Sequence, residues 1–249
     1  MEMWFAGITS RPWSLVVYAL ITFILLLGYN RYAGMRHDSG WAEVAIDSVE
    51  EMGIGLVLSA LALLVIGRIT MDMPAHEIVG PVVVEAMVVA IGVSVGTSQL
   101  GASNEREEGM GEGGNAKDES HLGGQLAIAF CGAVLFGMSV GPTEEITVLA
   151  DEMSGWKLLT LALITIAIAT AIITHSGFKG SDQNLMVKGR WSFLFVGMIT
   201  YAVALCAGAM ILLFFDRFDG ASAEMIVSQI VVLSAATALG ASAGRLLLQ

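Results

Sequence analysis

Cysteine, proline and charge are all scarce in this chain, and each scarcity excludes something. Two Cys in 249 residues leave no room for a disulfide-stapled scaffold. Four Pro against 29 Gly, with no triplet period, exclude a collagenous chain. Charged residues are 14% of the sequence, where soluble domains run near a quarter. Lys and Arg number 12 against 23 Asp and Glu, a net charge of −11, which is the wrong sign for a nucleic-acid partner. Lys is also missing from every long apolar run, since Lys117, Lys157, Lys179 and Lys188 fall between or at the ends of them. A retinal Schiff base inside a helix is thereby excluded. No Cys or His pair stands at zinc-ligand spacing.

What the chain does have is apolar length. The residues are 55% hydrophobic and the mean hydropathy is +0.74. Seven runs are long enough to cross a hydrocarbon core of about 30 Å as helices: 13–29, 52–70, 78–100, 122–141, 156–175, 191–215 and 225–248. None shows the strict alternation of a membrane β-barrel. Lipid tolerates only helices or closed barrels, so the pattern predicts an all-α, polytopic membrane protein, a bundle of seven transmembrane helices in one domain over 1–249. The lipid bilayer is its first partner. The run 13–29 reads as a retained helix, because no small-x-small cleavage site follows it. Trp4, Trp13, Tyr29, Trp41, Trp156 and Trp191 lie near run ends, as an aromatic belt requires.

Loop charge predicts orientation. One side collects Arg31, Arg36, Arg106, Lys117, Lys179, Lys188, Arg190 and Arg245; the other holds Arg11, Arg68, Lys157 and Arg217. The positive-inside rule puts the N-terminus outside and the C-terminus in the cytoplasm, which for a bacterial chain means the inner (cell) membrane. Residues 101–120, acidic and Gly-rich, read as a cytoplasmic loop.

Two G-x-S-x-G stretches, Gly92–Gly96 and Gly240–Gly244, carry the letters of a hydrolase elbow. Both fall inside apolar helices, with no His in the same run. They read better as small-xxx-small packing faces, within the chain or in a homo-oligomer. Ala133, Gly137 and Gly141 repeat that spacing. No catalytic set emerges, so an enzyme is not expected.

Acids in or near the spans are the remaining chemical signal. A carboxylate near the bilayer centre costs about 2.5–3.5 kcal/mol even on insertion scales, and such groups usually face a cavity or a partner. Glu85 lies about a third of the way into its run. Glu144 and Glu145 follow Gly141, Pro142 and Thr143. Pro142 removes a backbone donor and Gly141 eases unwinding, which would free carbonyl oxygens beside two carboxylates. Hard cations take such oxygens, so Glu144 and Glu145 are the candidate metal ligands and a cation of unspecified identity is the one expected ligand. The competing reading makes 141–151 the solvated end of a helix. Glu50 and Glu51 join Glu43 and Asp47 in an acidic stripe ahead of the run 52–70, read either as a solvated helix face or as a vestibule feeding an ion path.

The stretch Gly132–Gly137, Pro142-Thr143-Glu144-Glu145, Gly177-Phe178 and Gly244-Arg245-Leu246 resembles a bacterial family of uncharacterised seven-span integral membrane proteins. The resemblance implies the fold and no activity. Locally, residues 141–147 look like the cation-binding Pro-Glu segment of calcium/cation exchangers, which carry two such segments in inverted halves; no second one occurs here. Together these readings lead to a cation channel or transporter using Glu144, Glu145, Glu85, Thr143, Pro142, Glu50 and Glu51. The alternative is a membrane sensor or an oligomeric assembly protein without transport.

Overall fold

The computed structural model describes residues 7–33, 40–108, 122–141, 143–175 and 192–247. Among them the regular elements are helices: α1 (Pro12–Ala33), α2 (Trp41–Val65), α3 (Ala75–Glu108), α4 (Leu122–Val140), α5 (Glu144–Glu152), α6 (Gly155–His175), α7 (Ser192–Phe214) and α8 (Ala223–Leu247). All but α5 are long and apolar enough to cross a membrane. The seven-span, all-α reading therefore holds.

Three boundaries differ from the sequence reading. The second span starts at Trp41, not at residue 52. Its first eleven residues carry four acids, which depress the local hydropathy, but they follow the helical period and leave Val44 and Ser48 to bury. The third helix runs on to Glu108, so residues 101–108 of the expected loop are helical. Glu and Arg are good helix formers, and they extend the helix past its apolar part. Residues 109–121 lie outside the described residues. Finally, the Gly141 region is not an unwound stretch within a helix. α4 stops at Val140, Gly141 takes φ 74°, and α5 begins anew at Glu144. A positive φ at this point is one only glycine adopts without strain, so the chain turns here. Gly67 closes α2 in the same way: its φ is 75°, and the Arg68 N–H reaches back to the Leu63 carbonyl in a Schellman pattern.

The helices form two groups. α1, α2 and α3 pack on one another, while α8 packs against α4, α5, α6 and α7. α4 joins the groups through α1 and, to a lesser extent, α3. The apolar core runs through the junction, with Leu26, Met87, Ile91, Met138, Leu212 and Leu233 fully enclosed. Tyr18 of α1 stacks on Phe214 of α7 with ring centroids 4.2 Å apart, tying the groups together.

α4 crosses α8 closely. A Cβ on Gly132 would meet the Gly240 carbonyl, and one on Gly240 would meet the Gly132 carbonyl. The Gly240–Gly244 face is thus a packing face, as small-xxx-small spacing predicts. Gly137 is also enclosed, against Ile211 and Thr237. The Gly92–Gly96 face behaves differently. Gly92 has only a Leu135 methyl at 4.0 Å, and a Cβ on Gly96 would meet nothing within 4 Å.

Candidate functional site

α2 presents one buried stripe: Val44, Ser48, Glu51, Gly55, Ser59 and Leu63. The spacing of three and four keeps these residues on a single face, and that face looks into α1 and α3. Four of the six are polar or lack a side chain, which is unusual for the enclosed side of a membrane helix. Glu51 is 7% exposed. It stands about 15 Å along α2 from Trp41, close to the middle of a helix this long. Its neighbour Glu50 points about 100° away and is exposed. The sequence pair therefore divides, and only Glu51 enters the bundle.

Asn30 of α1 organises what surrounds Glu51. Its amide nitrogen donates to Glu51 Oε2 at 2.7 Å and to Ser48 Oγ at 3.1 Å. Its amide oxygen accepts from Ser94 Oγ of α3 at 2.8 Å. Ser48 donates in turn to the Val44 carbonyl at 2.8 Å. Beside this cluster Tyr29 OH and Ser98 Oγ share a hydrogen bond of 3.0 Å, and Cys131 Sγ of α4 approaches the Leu25 carbonyl at 3.6 Å. Three helices are thus joined by a polar network around one carboxyl, and the partners drawn from α1 and α3 are neutral. Tyr29, expected in an aromatic belt, is 1% exposed and belongs to this network instead.

Acids lead to the cluster from the α2 N-terminus. Glu43 is exposed, Asp47 half-buried and Glu51 buried. They are spaced by four, so they form a line running inward along the helix.

A second acidic position lies nearer the other end of the same three helices. Glu85 of α3, half-buried, lines a cavity of about 400 Å³ with Leu58, Ser59, Ala62, Leu63, Ile66, Arg68 and Val89. Ser59 is 2% exposed, and its hydroxyl has no hydrogen-bond partner. The buried hydroxyl of Tyr18, electrostatically coupled to Glu85, has none either. Arg68, exposed in the turn after α2, also borders this cavity.

The remaining expected site residues stand elsewhere. Glu144 and Glu145 are exposed in the first turn of α5, between two spans. Carboxylates there complement the helix dipole. The Thr143 hydroxyl bonds Glu145 and, with the backbone N–H of Glu145, holds that carboxyl below its usual range. Thr143 is half-buried, with extended backbone at the helix cap. Pro142 lies outside the described residues. Among the described residues no three His, Cys, Asp or Glu converge as a metal site.

Asn30, Ser48 and Ser94 were not singled out from the sequence as site residues. Ser94 sits in a motif weighed as a hydrolase elbow and as a glycine packing face, not as a polar partner for an acid. Asn30 and Ser48 gain meaning only once α1 and α2 are side by side. The signal that was available is the four-residue spacing of Glu43, Asp47, Glu51, Gly55 and Ser59.

Over residues 1–248 the chain matches the model of an integral membrane protein family, DUF2391. No curated protein and no solved structure matches it.

Proposed function

The chain belongs to the DUF2391 family of integral membrane proteins, and on that premise we propose that it moves a cation across the bilayer, with Glu51 as the carboxyl that handles it. The observation that carries this reading is Glu51 itself, enclosed near mid-helix and held by the neutral donor Asn30. Retaining an acid at such a depth is costly, and acids so placed generally line substrate or ion paths. The line Glu43, Asp47, Glu51 gives a cation an approach from the loop between α1 and α2, which the positive-inside count assigns to the cytoplasm. Glu85 and its cavity give a second approach from the opposite end. Glu144 and Glu145, with Asp151 and Glu152, then form an exposed acidic rim that concentrates cations without binding them tightly.

The test is flux from purified protein in liposomes. Glu51→Gln keeps the side chain's size and removes its charge. It is expected to lower cation flux at least tenfold, while Glu144→Gln and Glu145→Gln leave most of it. Unaltered flux in Glu51→Gln would reduce the network to a device for fixing helix register.

A further inference from the structure

We propose that the cation is a proton, and that the Glu85 cavity is a second proton-binding station, reached from the end of the bundle opposite to the Glu51 cluster. This rests on the translocation reading above and names its substrate.

The ligand chemistry around the two carboxyls favours a proton over a metal ion. Alkaline-earth ions take about six to eight oxygens, most of them carboxylate or carbonyl. Glu51 offers one buried carboxyl, and one of its oxygens already accepts from Asn30. The groups facing it are Tyr29 and Asn30 from α1, Asp47 and Glu50 on its own helix, Ser94 from α3 and Cys131 from α4. Asp47 and Glu50 stand nearer the α2 N-terminus, and Glu50 is turned outward. Glu85 faces Tyr18 from α1, with Ser59 and Arg68 from α2 and the turn after it. Arg68, which lines that cavity, opposes a second fixed cation there.

The unpartnered hydroxyls supply the independent evidence. A buried hydroxyl without a partner bears its full desolvation penalty, and chains seldom keep one without a use. Among the described residues there are two: Ser59 lines the cavity with Glu85, and Tyr18 lies within electrostatic reach of Glu85. The cavity of about 400 Å³ has room for several water molecules, each of which needs polar partners of this kind. Water hydrogen-bonded to Ser59 and Glu85 would carry a proton from the membrane surface to the carboxyl.

Between the stations the helices close. Glu51 and Ser59 are about 12 Å apart along α2. Gly55 lies between them, packed so tightly that a Cβ would stand 2.5 Å from the Ala86 carbonyl. Ala86 and Ala90 of α3 complete this section, both fully buried. Passage between the stations requires this closed section to admit water; each transfer then breaks an O–H bond at one carboxyl and forms one at the other. No electrons change hands.

The experiment is a pH jump across liposomes that hold the protein and a lumenal pH dye. N-methylglucamine is the sole metal substitute, and tetraphenylborate dissipates charge. The lumen is expected to follow the jump in the absence of any metal ion. Glu85→Gln should slow it at least tenfold, Glu85→Asp should restore part of the rate, and Ser59→Ala should slow it several-fold. Size-exclusion elution matching wild type establishes that each variant is folded. Flux that requires a metal ion, with an unmoved lumenal pH, overturns the proton assignment and leaves cation translocation standing. Wild-type proton flux in Glu85→Gln and Ser59→Ala overturns the second station. Absence of both proton and metal flux in the wild-type protein overturns the translocation reading itself.

Discussion

Removing the Asn30 side chain is the sharpest structural perturbation of the site. Asn30→Ala deletes three hydrogen bonds at once: those to Glu51 and Ser48, and the one from Ser94. Interhelical hydrogen bonds in membrane proteins contribute on average about 0.6 kcal/mol each, with a maximum near 1.7. Three average bonds come to about 2 kcal/mol. The sum is not uniform, because Ser48 keeps its bond to the Val44 carbonyl and loses little. The Glu51 contact, at 2.7 Å to a carboxyl, should carry the largest share. Reversible unfolding in mixed micelles titrated with SDS measures the loss. Ser139→Ala is the control, since Ser139 is exposed and bonds only within its own helix. A double-mutant cycle with Glu51→Ala isolates the pair and should give a coupling of about 0.6–1.7 kcal/mol. A destabilisation no larger than that of Ser139→Ala, or additive single-variant effects, would refute the network as described.

Three further outcomes are expected. Gly132→Ala and Gly240→Ala should each destabilise the fold by about 1–3 kcal/mol in the same titration, because a Cβ at either position meets backbone of the facing helix, whereas Gly96→Ala should change it by less than about 0.5. Thr143→Ala should raise the Glu145 carboxyl toward its ordinary value, read from the pH dependence of a labelled carboxyl carbon by NMR. A depressed carboxyl adds stability above its unfolded pKa and loses it as pH falls through the folded one, and full exposure keeps that contribution small. A single cysteine placed within 109–114 in a cysteine-free background should resist an impermeant thiol reagent in intact cells, while one at Gly220 should react; the reverse pattern would invert the orientation.

The spans were legible because hydropathy is a local property and each run announces itself. The turn at Gly141 was legible for the same reason, although its consequence was not. A Gly-Pro pair signals a break, yet only the structure shows α4 ending there and Glu144 and Glu145 on the exposed side of a short helix packed against α8. The helix extension ahead of residue 52 was legible from its helical period, but the start of the span was placed too late, because a hydropathy window averages over faces. Glu43, Asp47, Glu50 and Glu51 lower the mean, while the buried stripe through Val44, Ser48 and Glu51 is visible only at helical period. Glu85 was found as an acid inside a run, but its cavity is made by α2 and the turn at Arg68, far off in sequence. Asn30 and Ser94 were beyond reach, since a lone Asn at a helix end and a Ser among glycines mean nothing until packing brings them to a carboxyl.

The central claim is that Glu51 takes and gives up a proton inside the bundle. Infrared difference spectroscopy on membranes reconstituted with the protein tests it most directly, by recording the carbonyl stretch of protonated carboxyls across a pH step. The account predicts a band in the wild-type protein that vanishes in Glu51→Gln and shifts in Asn30→Ala, where the hydrogen bond to Oε2 is gone. A spectrum that is the same in wild type and Glu51→Gln would contradict it.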